Sequence, residues 1–167
     1  IIGNQPGEFV ADRNNITRVW MDHAFWPFVT TKLYMNQTGD VDILNEKIPY
    51  FKDPQVCRGN AKDEIWTAEY GMRQKTEAGT VYEGTVLEHL LLQNLSAFYE
   101  AGDHGVMRLR GADWNDALDM AAEHGESVAF TCAYAGNLRE LAEMIQTMDK
   151  ACPGREIELL EELAILL

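Results

Sequence analysis

The sequence predicts an all-α fold in which long amphipathic helices alternate with polar loops. Apolar residues recur at helical spacing in three segments, residues 19–36, 81–101 and 127–150, and this spacing places them on one face of a helix. Capping residues, glycine and proline mark the ends of these segments. A chain of 167 residues, 46% of them hydrophobic, is long enough for one domain with a sizeable core.

The first predicted helix, residues 19–36, follows a polar, turn-rich stretch that we expect to be an extended loop. Pro27 lies inside it and has no backbone N–H to donate. The helix is therefore expected to start near Ala24 or to kink at Pro27. A short helix over residues 41–47 is predicted next. Residues 50–79 have no clean period and are expected to form a long loop, which is often functional.

Residues 81–101 give the clearest helix prediction. Thr80 and Glu83 match a capping box, in which each side chain accepts a hydrogen bond from the other residue's backbone N–H, and Gly102 follows as a stop. The predicted apolar stripe consists of Val86, Leu90, Leu91, Leu95 and Phe98.

The remaining predictions concern the second half of the chain. Residues 105–111 are expected to be short and extended. Ser127 is expected to cap the helix over residues 127–150, and a last helix is expected from about Arg155. Two loop aromatics are available either for sugar contact or for loop packing, Trp66 and Tyr70.

Composition excludes several classes of partner. The net charge is −13, from 27 acidic and 14 basic residues, so a nucleic-acid partner is not expected. No apolar run reaches the roughly 18 residues that span a bilayer, so no membrane partner is expected. Three cysteines form no C-x-x-C pair and H-E-x-x-H is absent, so no metal is expected. No glycine-rich phosphate loop follows a predicted strand, and no cofactor is expected. Reduced thiols without a signal peptide favour a cytoplasmic protein.

The residues best suited to chemistry are Asp113, Trp114, Asn115 and Asp116, which follow a Gly–Ala pair. A carboxylic acid can protonate a glycosidic oxygen. An indole can pack on the apolar face of a pyranose, and an amide can bridge sugar hydroxyls. The alternative is a turn with an Asp cap and a buried Trp.

Two further clusters are candidates for sugar contact. Arg18 and Asp22 lie at a loop-to-helix junction, where Asp22 can accept hydrogen bonds from hydroxyls and Arg18 can donate them. The alternative for this pair is a local ion pair in the first turn of a helix. Glu88 and His89 lie near the core boundary of a predicted helix, where a structural histidine is more common than a ligand.

The number of carboxylates bears on the reaction. Inverting glycoside cleavage usually needs two carboxyl groups about 6.5–9.5 Å apart, one as the acid and one to activate water. If the nucleophile is already an anion, such as inorganic phosphate, the second carboxyl group is unnecessary. A single dominant acid fits that logic.

These motifs resemble glycoside hydrolase family 94, the family of cellobiose, chitobiose and β-1,2-oligoglucan phosphorylases. The similar segments keep the family's order over about residues 18–145: residues 21–26, 38–40, 88–89, 102–105, 111–116 and 125–128. Residues 87–94 and 108–112 look more like the β-1,2-oligoglucan phosphorylases than cellobiose phosphorylase.

The resemblance implies an (α/α)6 toroid catalytic domain of the six-hairpin glycosidase type. It also implies inverting, reversible phosphorolysis of β-linked gluco-oligosaccharides to glucose 1-phosphate. Asp116, the carboxylate after Trp-Asn, would be the general acid, and Trp114 would line the donor subsite. Asp22 and Arg18 would hold donor hydroxyls, and Asp113 would orient the loop or touch substrate. Further candidate substrate contacts are Asn115 and Glu88.

Two departures from the family pattern shape the domain prediction. Met21 stands where the family usually has a second acid beside Asp22. The family's phosphate-binding His and Thr lie downstream of the residues present, and a toroid needs more helices than are predicted. Residues 1–167 are therefore expected to be a partial (α/α)6 domain, truncated at both ends, whose partners are a β-gluco-oligosaccharide, phosphate and the remainder of its own catalytic domain. A homodimer remains open.

Two rival functions stay open from the sequence. One is an inverting hydrolase on the same toroid, which would use Glu88 or Asp22 as its second carboxylate. The other is a catalytically silent helical carbohydrate-binding fragment.

Overall fold

The computed structural model describes residues 22–56, 61–98, 101–109, 121, 124–154 and 156–167. Helices dominate these residues, as predicted: α1 (Trp26–Thr38), a 3₁₀ turn (Asp42–Asn45), α2 (Val86–Ser96), α3 (Val128–Ala151) and α4 (Glu161–Leu166). Four short strands add two antiparallel pairs, β1 (Lys47–Pro49) with β4 (Glu83–Thr85) and β2 (Gln55–Val56) with β3 (Ala61–Lys62). The fold is therefore helix-rich with short strands, and the all-α prediction is confirmed only in part.

Helix α1 begins just before its proline. Pro27 lies in the first turn, where a backbone N–H has no partner inside the helix and its loss costs little. The helix therefore starts near Ala24, and no kink is required. It ends at Gly39, whose left-handed φ of 74° lets its N–H donate to the Met35 carbonyl at 2.8 Å.

Helix α2 begins later than predicted. Its cap is Thr85, whose Oγ1 accepts a hydrogen bond from the Glu88 backbone N–H at 3.1 Å. The predicted capping box at Thr80 and Glu83 is wrong, because Glu83 pairs with Pro49 in the β1–β4 ribbon. Extended pairing with a distant strand removes Glu83 from the helix.

Three other boundaries can be compared with the sequence predictions. The short helix expected over residues 41–47 is only the 3₁₀ turn Asp42–Asn45, and Lys47 already belongs to β1. Helix α3 begins as predicted, since the Ser127 Oγ accepts from the Phe130 N–H at 3.1 Å. Helix α4 begins at Glu161, later than expected.

Helix α2 lies at the centre of the packing and contacts α3, α4 and the 3₁₀ turn. Leu141 of α3 and Leu163 of α4 are fully buried against it, and each such side chain stabilises the fold by about 1.5–3 kcal/mol. The main cluster comprises Phe28, Met35, Leu44, Leu87, Leu90, Leu91, Leu141 and Leu163. A second cluster comprises Ala24, Ala97, Met107 and Tyr134.

A pair of buried asparagines joins three helical segments. Asn137 of α3 donates from Nδ2 to the Asn94 Oδ1 of α2 at 2.9 Å and to the Phe25 carbonyl at 3.3 Å. Asn94 in turn donates to the Leu90 carbonyl at 2.8 Å. Buried amides are tolerated only when they are paired in this way. The pair therefore holds Phe25, the residue before α1, against α2 and α3.

Among the described helices, none is both long and apolar enough to cross a membrane.

Candidate functional site

The candidate site residues fall into two groups. Asp22 and Glu88 are described by the structure. The rest lie outside the described residues: Arg18, Asp113, Trp114, Asn115 and Asp116. Their predicted roles stay predictions.

The described residues occupy only one of the two oxygens of the Asp22 carboxylate. Its Oδ2 accepts a hydrogen bond from the Trp26 indole Nε1 at 3.0 Å, and its backbone carbonyl accepts from the Phe25 N–H at 3.0 Å. Its Oδ1 is buried and has no hydrogen-bond partner among the described residues. A buried acceptor without a donor is costly. The Oδ1 atom is therefore an acceptor for a donor that these residues do not supply.

The segment that carries Asp22 is held by α3. The Phe25 carbonyl accepts the Asn137 amide, as described above. The Phe25 ring lies edge-on to the Tyr134 ring, with centroids 6.0 Å apart, and Ala24 packs into the same cluster. These contacts fix the backbone on which Asp22 stands.

The Glu88 carboxylate is fully engaged. It is 1% exposed, and its Oε1 accepts from the Tyr50 hydroxyl at 2.8 Å and the Tyr82 hydroxyl at 3.0 Å. Its Oε2 accepts from the same Tyr82 hydroxyl at 3.1 Å and from the Leu160 N–H at 2.8 Å. The carboxylate thus holds three segments against α2: Tyr50 after β1, Tyr82 before β4 and Leu160 before α4. Direct substrate contact by Glu88 stays a prediction.

Gly84 provides the room for this carboxylate. A Cβ at Gly84 would lie 2.1 Å from the Glu88 Oε1 and 2.9 Å from the Tyr50 ring, so a larger residue would displace the cluster. Burial, reinforced by the hydrogen bond to Glu88, raises the pKa of Tyr82 to about 12 and that of Tyr50 further. Both phenols therefore remain protonated donors at neutral pH.

His89 completes the same cluster. Its ring stacks on the Tyr50 ring, with centroids 3.7 Å apart and planes 15° apart. Its Nε2 lies 3.1 Å from the Ile48 carbonyl, which can only accept, so Nε2 carries the proton. Burial lowers the pKa of His89 below its usual 6.5. The contacts are those of a packed histidine, and burial favours its neutral form.

Sequence reasoning did not single out Glu126 as a site residue. Its Oε1 accepts the His104 backbone N–H at 2.9 Å, and its Oε2 lies 2.7 Å from the His104 Nδ1. The hydrogen bond from the His104 N–H holds the pKa of Glu126 below its usual 4.5. Residues 102–105 and 125–128, both similar to the family pattern, are thereby brought together. Their 22-residue separation hides this contact from any local pattern.

The residues on either side of the segment that contains Asp113 to Asp116 pair with each other. Arg108 pairs with Glu126 in an antiparallel bridge. The Leu109 N–H donates to the Gly125 carbonyl at 2.8 Å, and the Ser127 N–H donates to the Met107 carbonyl at 2.9 Å. Residues 107–109 and 125–127, which flank residues 110–124 in the sequence, therefore form a hydrogen-bonded base.

The two loop aromatics make packing contacts. The Trp66 indole donates to the Gly71 carbonyl at 3.1 Å. The Tyr70 hydroxyl accepts from the Lys75 N–H at 2.9 Å, and the Lys75 ammonium lies 4.8 Å from the Tyr70 ring centroid. These contacts favour loop packing over sugar contact for both side chains.

The described residues offer hydrogen bonding by carboxylates, phenols and one imidazole. Within the described ranges, no group of three or more His, Cys, Asp or Glu side chains is placed to hold a metal ion. Among the described residues, the buried Asp22 Oδ1 is the carboxylate oxygen best placed to accept a hydrogen bond from a ligand.

Comparison with known proteins identifies the family. Residues 62–162 match the Glycosyl hydrolase 94 superfamily, catalytic domain, and this stretch contains Glu88 and residues 113–116. The chain belongs to this family. The resemblance drawn from the sequence motifs is confirmed.

Two relatives illustrate the family. The chain is 30% identical over 123 residues, 72% of its length, to the cyclic β-(1,2)-glucan synthase NdvB of Rhizobium meliloti (strain 1021). It is 26% identical over 145 residues, 86% of its length, to the solabiose phosphorylase of Paenibacillus borealis. The matches span 4% of the first protein and 15% of the second, so the chain corresponds to a small part of each.

Proposed function

We propose that this chain is part of the (α/α)6 catalytic domain of an inverting glycoside phosphorylase. The full-length protein would convert a β-linked gluco-oligosaccharide and inorganic phosphate to glucose 1-phosphate and a shortened sugar. The observation that carries this proposal is the family match over residues 62–162, which contains the Asp-Trp-Asn-Asp segment. Similarity to a phosphorylase over 86% of the chain adds to it.

In this reaction Asp116 is the general acid. Its carboxylic acid gives a proton to the glycosidic oxygen as the bond from that oxygen to the anomeric carbon breaks. A phosphate oxygen forms the new bond to the anomeric carbon from the opposite face, so the configuration inverts. Trp114 packs on the donor sugar, and Asp113 and Asn115 hold its hydroxyls or orient the loop.

Asp22 is the described residue best suited to bind a sugar hydroxyl. Its Oδ2 is oriented by Trp26, and its buried Oδ1 has no donor among the described residues. A hydroxyl of the donor sugar would satisfy that atom with a charge-assisted hydrogen bond. Arg18 would donate to neighbouring hydroxyls.

The state of Glu88 counts against a hydrolase in which Glu88 is the second carboxylate. A hydrolase would need a second carboxylate to activate water. Glu88 would have to release Tyr50, Tyr82 or Leu160 to do so, because these groups occupy both of its oxygens. Phosphate is already an anion, so phosphorolysis does not need a second carboxylate to activate the nucleophile.

The sugar linkage is proposed from two observations. Residues 87–94 and 108–112 resemble the β-1,2-oligoglucan phosphorylases, and the 30% identical relative is named for β-(1,2)-glucan. We therefore favour β-1,2-linked glucans over cellobiose as the substrate. The name of that relative also supports a second candidate, a domain acting on β-1,2-glucan within a glucan-synthesising protein.

The test is an assay of the full-length protein on β-1,2-glucan oligosaccharides and a panel of β-linked glucobioses, with and without phosphate. Phosphorolysis releases glucose 1-phosphate only when phosphate is present. A hydrolase releases free glucose without phosphate. Sugar binding without either product would favour the silent carbohydrate-binding fragment and overturn the proposal.

A further inference from the structure

We infer that Glu126 is a positioning residue for the general acid. The Glu126 carboxylate holds the turn at residues 102–105 against the base formed by residues 107–109 and 125–127, which flank the 110–124 segment. This inference rests on the proposed function, in which Asp116 of that segment donates the proton.

The first observation is the double contact between Glu126 and His104. One carboxylate oxygen accepts the His104 backbone N–H and the other lies within hydrogen-bond distance of the ring Nδ1. The Glu126 side chain is 14% exposed, whereas that of His104 is 82% exposed. The carboxylate therefore faces inward, and it fixes the backbone of the turn as well as one side chain.

The second observation is that the turn has space for this carboxylate. A Cβ at Gly102 would lie 2.0 Å from the Glu126 Oε1, so any other residue there would displace it. Gly105 has a left-handed φ of 70° and donates its N–H to the Gly102 carbonyl at 3.0 Å, which closes the turn. The glycine pair thus shapes the turn around Glu126.

The third observation is that Glu126 also belongs to the base by its backbone. It pairs with Arg108, and its neighbours Gly125 and Ser127 bond to Leu109 and Met107. Ser127 caps α3, which has 24 residues. The turn, the base and the long helix are therefore coupled through one residue.

A further contact ties the base to α3. The Thr131 Oγ1 accepts the Met107 N–H at 3.0 Å and donates to the Ser127 carbonyl at 2.7 Å. Loss of the Glu126 carboxylate would leave this contact and the Ala101–Met107 bridge in place. It would remove the two contacts that hold His104 beside the base.

A positioning role and a purely structural role predict different kinetics. Misplacing a catalytic group by about 1 Å can cost about 10²-fold in rate. Because the sugar is also held by Asp22 on a separate segment, its KM should change little. A purely structural role would lower the melting temperature and leave kcat intact in the fraction that is folded.

The experiment compares Glu126→Ala and Glu126→Gln in the full-length protein, with Glu143→Gln as control. Glu143 lies exposed on α3, the helix that follows Glu126, and pairs only loosely with Arg139, at 3.9 Å. Well below the melting temperature, Glu126→Ala is expected to lower kcat about 10–100-fold, with KM within about twofold. Glu126→Gln keeps one acceptor for the His104 N–H and is expected to recover part of kcat.

Hydrogen exchange provides a readout that does not need activity. Amides in peptides from residues 110–124 are expected to exchange faster in Glu126→Ala than in the wild type or Glu143→Gln. Wild-type kcat and wild-type exchange in Glu126→Ala would overturn the inference, as would a lowered melting temperature alone. If the wild-type protein shows no phosphorolysis, the proposed function fails, and the exchange comparison alone decides whether Glu126 fixes the segment.

Discussion

Glu88 and Asp22 are both candidate substrate carboxylates, but their surroundings differ. Glu88 accepts hydrogen bonds from Tyr50, Tyr82 and the Leu160 backbone, so both of its oxygens are occupied. Asp22 has one oxygen held by Trp26 and one buried oxygen without a donor among the described residues. A carboxylate whose acceptors are filled by its own chain stabilises the fold, whereas one with an empty acceptor is available to a ligand.

The largest effect is expected at Asp116. Its loss of activity is the reference against which the effects at Glu88 and Asp22 are compared. Asp116→Asn removes the proton donor and should lower phosphorolysis by at least about 10²–10⁴-fold, with a near-native melting temperature. The measurement is kcat for glucose 1-phosphate release, with Asp42→Asn on the exposed 3₁₀ turn as control. Activity within about tenfold of wild type would exclude Asp116 as the acid.

The next effect is expected at Glu88, and it should appear in stability. Glu88→Ala leaves two phenols and one backbone N–H without their acceptor, and one unsatisfied group costs about 1–3 kcal/mol. The melting temperature should fall clearly, and Tyr82→Phe, which removes only one donor, should lower it less. An unchanged melting temperature would contradict the structural role. A stable variant with weakened sugar binding would instead support the substrate contact.

A smaller effect is expected at Asp22, and it should appear in catalysis. In Asp22→Asn one oxygen can still accept from Trp26, but an NH₂ replaces the free acceptor. Loss of a charge-assisted hydrogen bond worth about 1.5–3 kcal/mol should lower kcat/KM about ten- to a hundredfold. The melting temperature should stay near that of the wild type. A stability loss without a kinetic loss would reverse the assignments of the two carboxylates.

The smallest effect concerns the pH dependence of the Glu88 cluster. Because burial lowers the pKa of His89 below 6.5 in the folded state, the unfolded state binds the proton more readily. Stability should therefore fall as the pH drops below about 6.5. His89→Phe keeps a ring against Tyr50 but cannot titrate, so its unfolding free energy should depend less on pH between neutral pH and about pH 5. If the unfolding free energies of the wild type and His89→Phe changed with pH in the same way, this prediction would be wrong.

Local patterns predicted the helices better than they predicted where the helices begin. Ser127 is correctly predicted as a cap because its distant pairing with Met107 uses only its backbone N–H and leaves its Oγ for the helix. At the start of α2 the sequence offers two Thr-x-x-Glu patterns, at residues 80–83 and 85–88. Pairing of Glu83 with Pro49 decides between them, and no local pattern contains that contact.

The same limit applies to the start of α4 and to the site. Leu160 is extended, and its N–H is taken by Glu88 from 72 residues away. The family motifs indicated which carboxylates to consider, including Asp22 and Glu88. Which of these has a free acceptor depends on tertiary partners such as Trp26 and Tyr50, and the sequence could not reveal them.

The hydrogen-bonded base at Leu109 and Gly125 has a consequence for engineering. Since Leu109 and Gly125, which flank the 110–124 segment, are hydrogen-bonded to each other, the segment is a candidate for exchange as a cassette between members of this family. Closing a somewhat longer insert costs little, because each doubling of loop length adds only about 0.6 kcal/mol. Exchanging the segment would test whether it carries substrate specificity, with the sequence of the flanking helices unchanged.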